Sequence, residues 1–257
     1  MLLTPVTARP RKEYGQHFLR DPNILEVIGR LAELEPDDLV LEIGPGEGVL
    51  TRYLAERVRR VHSVEIDRTL APALRGLPDN VEVVFGDALQ VALPEDATKL
   101  VANLPYNVAT PLVVESLDRL PNVRLWCVMV QREVAERFFA QPATKEYGAV
   151  SVLVQLAAER TGFHPVSRTV FRPQPNVDSA LVAFRRKELP ANYRRVKEVV
   201  TAAFAHRRKT LPNSLALAGL APREAGADAL AAIGRPAETR AEALAPGDFL
   251  ALTKALQ

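Results

Sequence analysis

Short apolar runs at Leu39–Ile43, Val58–Ile66, Val81–Phe85 and Leu100–Leu104 alternate with segments whose apolar residues recur at helical spacing. Val49, Leu50, Tyr53, Leu54 and Val58 make one such segment, and Thr110-Pro111 caps another running from Leu112 to Leu117. Strands that alternate with helices predict a parallel, doubly wound α/β sheet, with ligands beyond the carboxyl ends of its strands. Asp21-Pro22 marks a helix start, with the aspartate as cap, and Ile24, Leu25, Ile28 and Leu31 continue it. Upstream, Arg9–Arg20 is basic and polar and reads as an extended arm. A fifth strand is expected over Leu125–Val130, a helix over Glu133–Phe139 and a closing strand over Ser179–Phe184. The apolar residues of Ala149–Ala158 fit helix and strand equally. After Leu189-Pro190 the texture changes. Val196, Val199, Val200, Ala203 and Phe204 share one helical face, and no strand signal follows. The expected organisation is an α/β domain with its arm over 1–188 and a small helical domain over 189–257.

Composition narrows this picture in three places. No apolar run reaches the roughly eighteen residues of a membrane helix, and Met1–Arg11 lacks the apolar core of a secretory signal. Cys127 is the one cysteine and sits inside a strand-like run, so neither a disulfide nor a cysteine metal site can be built. No metal is expected, and the expected compartment is the cytosol. Net charge is only +2, yet Arg185–Lys209 holds nine Lys/Arg against Glu188 and Glu198, +7 in one stretch. Concentrated positive charge on a near-neutral body suits a polyanion, although a solvated helix face would give the same pattern.

The candidate chemistry lies at three strand ends. Leu39–Ile43 runs into Gly44-Pro45-Gly46-Glu47-Gly48, a loop whose glycines let backbone approach a ligand closely, as NAD, FAD and S-adenosylmethionine sites all require. Its spacing fails the dinucleotide fingerprint. Glu65 closes the second strand, where a carboxylate can grip ribose hydroxyls, and Asp87 closes the third, where it can accept from an adenine amino group. Both could instead be strand-terminal caps. Fixed carboxylates suit an adenosine without phosphates better than a pyrophosphate. After the fourth strand comes Asn103-Leu104-Pro105-Tyr106. The Asn103 amide and the Leu104 carbonyl can accept the two hydrogens of a nucleobase amine, which turns the nitrogen toward tetrahedral geometry and frees its lone pair. Pro105 holds Leu104 in extended geometry, and Tyr106 offers a ring for base stacking, worth about 1–3 kcal/mol per base. Phe171, on the proline-stiffened segment Phe171–Ser179, either closes the base from the opposite face or anchors the loop by packing. His62, His164 and His206 show no partner pattern.

Taken together, these motifs resemble the ribosomal RNA adenine N6-dimethyltransferases, whose bacterial members confer kasugamycin sensitivity. Gly15-Gln16-His17-Phe18-Leu19, Glu42–Gly46, Val64–Asp67, Gly86-Asp87-Ala88, Asn103–Tyr106, Phe171–Ser179 and Phe204–Leu215 match the family's motifs in order. The resemblance implies a Rossmann-like methyltransferase sheet, S-adenosyl-L-methionine as donor, and cofactor contacts from His17, Leu19, Gly44, Gly46, Glu65, Asp87, Ala88 and Asn103. It implies a substrate site of Asn103, Leu104, Pro105, Tyr106 and Phe171. The substrate would be two adjacent adenosines in the 3′-terminal hairpin loop of small-subunit rRNA, in an assembling 30S particle, with RNA phosphates on Arg194, Arg195, Arg207, Arg208 and Lys209. The default oligomeric state is monomer. His17 is a departure, since the family most often has Asn there. Three rivals stand: a large-subunit adenine dimethyltransferase of the macrolide-resistance type, a non-catalytic assembly factor on the same scaffold, and an NAD-dependent oxidoreductase.

Overall fold

The computed structural model describes Arg11 and residues 15–256, so most of the arm before Gly15 lies outside the described residues. Chain contacts form two compact units, the first being the chain up to Ala135 plus Arg160–Arg186 and the second Glu136–Glu159 plus everything from Lys187. The segment expected as 1–188 is therefore interrupted, because residues 136–159 contribute to the helical unit.

In the first unit, β1 (Phe18–Leu19) leads into α1 (Pro22–Leu31), which begins as expected: the Asp21 carboxylate accepts the Asn23 amide at 2.8 Å. β2 (Leu39–Ile43), α2 (Val49–Ala55), β3 (Arg60–Glu65), β4 (Val81–Phe85), β5 (Lys99–Asn103), α3 (Ala109–Arg119), β6 (Leu125–Gln131) and α4 (Arg132–Phe138) follow. Thr110-Pro111 lies inside α3 and is not its cap, since Val108 holds that position. The chain continues through α5 (Ala149–Ala157), β7 (Ala158–Val166), β8 (Phe171–Arg172) and β9 (Ser179–Arg186). Seven strands form one sheet in the order β4-β3-β2-β5-β6-β9-β7, with the pairs from β4 to β6 parallel and β6/β9 antiparallel. β2 lies between β3 and β5, so the connections diverge at its carboxyl end and open a crevice there.

Trp126, Cys127 and their neighbours on β6 are fully buried. The Trp126 ring stacks on Phe184 at 5.3 Å and its Nε1 donates to Ser116 Oγ at 2.8 Å. Arg186 covers the same ring and donates to the carbonyls of Leu117, Leu120 and Val123, satisfying acceptors at the carboxyl end of α3. Burial pushes the Cys127 thiol up to about 12, so it stays an unreactive thiol.

The second unit contains α5, α6 (Tyr193–Phe204), α7 (Leu211–Leu217), α8 (Arg223–Ala232) and α9 (Pro246–Ala255). The ambiguous run at 149–158 resolves as the helix α5. Ser151 Oγ receives the Gly148 amide and donates to the Arg137 carbonyl, fixing its start. Phe204 packs between Tyr147 and Phe249, and the Tyr147 hydroxyl donates to the Leu244 carbonyl at 2.8 Å.

Candidate active site

An open cleft occupies the crevice at the end of β2, where ligands of doubly wound sheets sit. Its lining includes residues 15–19 of the arm, Glu42 on β2, the glycine loop with the start of α2, Glu65-Ile66 and Asn103–Tyr106. Gly44 and Gly46 have φ of +75° and +59°, and a Cβ on Gly46 would stand 3.0 Å from the Phe18 ring. Only glycine lets the loop take this path beneath the arm. Glu65 then pins the loop. One of its oxygens accepts the Gly46 amide at 3.0 Å and the other the Asp67 amide at 2.9 Å. Burial raises the Glu65 carboxyl above its ordinary value, opposed by those backbone bonds.

The arm crosses both halves of the cleft. Gln16 Nε2 donates to the buried Asp67 carboxylate at 2.8 Å, and the His17 carbonyl accepts Asn103 Nδ2 at 3.1 Å. A carbonyl can only accept, so this contact fixes the Asn103 amide with its oxygen turned away from His17. Among the described residues neither Asn103 Oδ1 nor the Leu104 carbonyl accepts a hydrogen bond. Leu104 is itself held by its amide, which donates to the Met129 carbonyl at 3.0 Å. Tyr106 is held at its hydroxyl by Ser179 Oγ at 2.6 Å and on its ring by His17, centroids 5.5 Å apart.

Three expected site residues sit elsewhere. Phe171 is 4 % exposed, pairs with Leu19 in the β1/β8 ribbon and belongs to the apolar core. Its packing there anchors the arm, in keeping with the packing alternative. Asp87 accepts the Leu89 amide and the Gln90 side chain, both at 2.9 Å, as a cap of the turn after β4. Neither Asp87 nor the buried Ala88 lines the cleft.

Glu42 is the site residue that the apolar pattern concealed. It points from β2 into the cleft and is 1 % exposed, and Oε2 accepts the hydroxyls of Thr51 and Ser63, both at 2.7 Å. Oε1 has no partner. Burial raises its pKa to about 7, opposed by those two hydroxyls and reinforced by Glu65. A charge-bearing residue in the interior of an otherwise apolar strand was its sequence signal. A lone buried acceptor is what a cationic ligand group would satisfy, so this wall fits a sulfonium nucleoside with an amino-acid tail. Because the folded pKa is raised, this carboxyl favours the fold fully below about 4.5 and loses that effect as pH rises through about 7. Binding of a cationic group has the opposite sense. S-adenosylhomocysteine affinity should rise up to about tenfold per pH unit below pH 7 and then level. Calorimetry on Glu42→Gln should give a flat profile; a slope equal to wild type would exclude Glu42 as the cation's partner.

The chain's residues 7–257 match the model of the ribosomal RNA adenine dimethylase family. It belongs to that family. Ribosomal RNA small subunit methyltransferase A of Rubrobacter xylanophilus is 48 % identical over 254 residues, spanning 96 % of this chain and 95 % of the relative. The protein of that name from Acidothermus cellulolyticus is 45 % identical over 96 % and 89 %. The crystal structure of a dimethyladenosine transferase from Plasmodium falciparum superposes with a TM-score of 0.76 at 28 % identity, covering 92 % of this chain and 96 % of that one. The 23S rRNA methyltransferase ErmE gives 0.65 at 33 % identity, over 93 % and 99 %. Members of this family are S-adenosylmethionine-dependent methyltransferases, and this chain is one of them. The oxidoreductase and non-catalytic readings fall accordingly.

Proposed function

We propose that the protein dimethylates N6 of two adjacent adenosines in the loop of the 3′-terminal hairpin of small-subunit rRNA, acting as a monomer on an assembling 30S particle in the cytoplasm. The observation that carries this reading is the pair of open acceptors, Asn103 Oδ1 and the Leu104 carbonyl, on the wall of the cofactor cleft. The similarity to proteins named small subunit methyltransferase A supports the choice of subunit.

S-adenosylmethionine supplies an electrophilic methyl group. Glu65 would hold the ribose and Glu42 a positive charge of the amino-acid end, and the arm, through Leu19 and the backbone of His17, would cover the cofactor with Gly44 and Gly46 beneath. The two acceptors would take the hydrogens of the target amine, localise its lone pair and turn it toward the donor's methyl group. Pro105 keeps the Leu104 carbonyl extended, and Tyr106 stacks the base. No side-chain base is needed, because the methylated nitrogen releases its proton to solvent. Orientation supplies the rate. A loop adenosine is inexpensive to unstack into such a site.

Arg194, Arg208 and Lys209 are exposed and suit RNA phosphates. Arg195 sits 2.8 Å from Glu198. Arg207 donates to the carbonyls of Lys145 and Tyr147 and so serves its own unit first. Reversing Arg208 and Lys209 to Glu should weaken RNA binding and flatten the salt dependence by about one to two in log–log slope. An unchanged slope would mean a merely solvated stretch. The function itself is tested by offering undermethylated small and large subunits with labelled cofactor. Dimethyladenosine should appear in the small subunit, and label confined to the large one would overturn the proposal.

A further inference from the structure

We infer that the His17 ring is a positioning residue for the target base, acting through Tyr106 rather than through the cofactor. The inference rests on the proposed reading of Tyr106 as the stacking surface. His17 has three attachments, and each fixes something on the substrate side. Its carbonyl accepts Asn103 Nδ2 and so sets which way that amide faces. Its Nδ1 lies 2.8 Å from the Pro173 carbonyl, which can only accept, so Nδ1 carries the hydrogen and the imidazole plane is fixed to the loop after β8. Its ring lies against Tyr106 with an interplanar angle of 28°.

Tyr106 thus has one face covered by His17 and its hydroxyl tied to Ser179. A base can stack only on the remaining face, in the order base, Tyr106, His17. A phenol ring held by its hydroxyl alone could still swing about that bond; the imidazole behind it removes this freedom. A residue with a hydrogen-bonding side chain and no ring could keep a contact to Pro173 but could not serve as backstop. Aromatic contact, rather than polarity, is therefore the property that matters at position 17.

The test compares His17→Asn, which keeps a donor without a ring, with His17→Phe, which keeps a ring without the donor. Tyr106→Ala and the His17→Asn/Tyr106→Ala double variant complete the cycle. Steady-state kinetics use undermethylated small subunits at saturating S-adenosylmethionine, and calorimetry gives S-adenosylhomocysteine affinity. H17N should lower kcat/KM for the subunit about three- to tenfold, the size of one aromatic pair, and H17F should retain most of it. S-adenosylhomocysteine affinity should stay within about twofold in both, and the double variant should be no worse than Y106A alone. Equal losses in H17N and H17F, a loss in H17N that follows cofactor affinity, or multiplicative losses in the double variant would each overturn the inference. A crippled Y106A beside a full-strength H17N overturns it alone. A fully active Y106A overturns the stacking reading and this inference together.

Discussion

Asn103→Ala should reduce turnover about 10²–10³-fold, the loss seen when one preorganised polar group is removed from a reaction centre. The argument is geometric. Two acceptors are required because the amine has two hydrogens, and the backbone at Leu104 can supply only one of them. Alanine also releases the His17 carbonyl from its 3.1 Å bond to Asn103. Asn103→Asp separates these roles, since it keeps an acceptor oxygen but sets a carboxylate against that carbonyl. Its turnover should also fall. Asn103 is partly exposed at the end of β5, so the fold should persist and the melting temperature should move little. Single-turnover assays at saturating cofactor read the effect directly. Turnover within about threefold of wild type in the alanine variant would remove Asn103 from the chemistry.

Lys99→Met should be the most damaging substitution far from the cleft. At the other end of the same strand, Lys99 is 3 % exposed and its Nζ lies 2.7 Å from the fully buried Asp38 carboxylate; it also donates to the Glu33 carbonyl. Removing one partner of a buried pair costs about 3–5 kcal/mol because the other charge is left desolvated. Here the lower end applies, since Arg124 at 3.0 Å and the Thr98 hydroxyl at 3.0 Å still face Asp38. Burial raises the Asp38 carboxyl, but the bonds from Lys99, Glu35 and Thr98 outweigh it and leave the group below its ordinary value. A lowered folded pKa stabilises above the unfolded value of about 3.9 and loses that effect as pH falls. The penalty of Lys99→Met should therefore be full at neutral pH and fade in acid. Urea unfolding at pH 7 and pH 3.5 checks both statements; equal penalties at the two pH values would count against the ion-pair account.

What the chain's pattern revealed depended on how much of each segment is buried. β2, β5 and β6 are apolar along their lengths because both sheet faces are covered, and they were legible to within a residue or two. β7 was not, because Glu159, Arg160 and Thr161 are exposed at its start and dilute the signal. β1 and β8 have two residues each, too few for any period. Within the site, Gly44, Gly46, Glu65 and Asn103–Tyr106 stood out because each follows a strand directly. Phe171 was open between two roles because burial is a tertiary property, and here the core claims it. Glu42 is hidden for the converse reason, since its neighbours are apolar and its hydrogen-bond partners lie nine and 21 residues away.

The lone tryptophan has a practical use. Trp126 is sealed inside the first unit between Phe184 and Arg186, so its fluorescence reports melting of that unit, while the tryptophan-free second unit contributes helical ellipticity but no tryptophan emission. Recording both signals in one thermal scan would tell whether the halves come apart together or in sequence, with no dye or label attached.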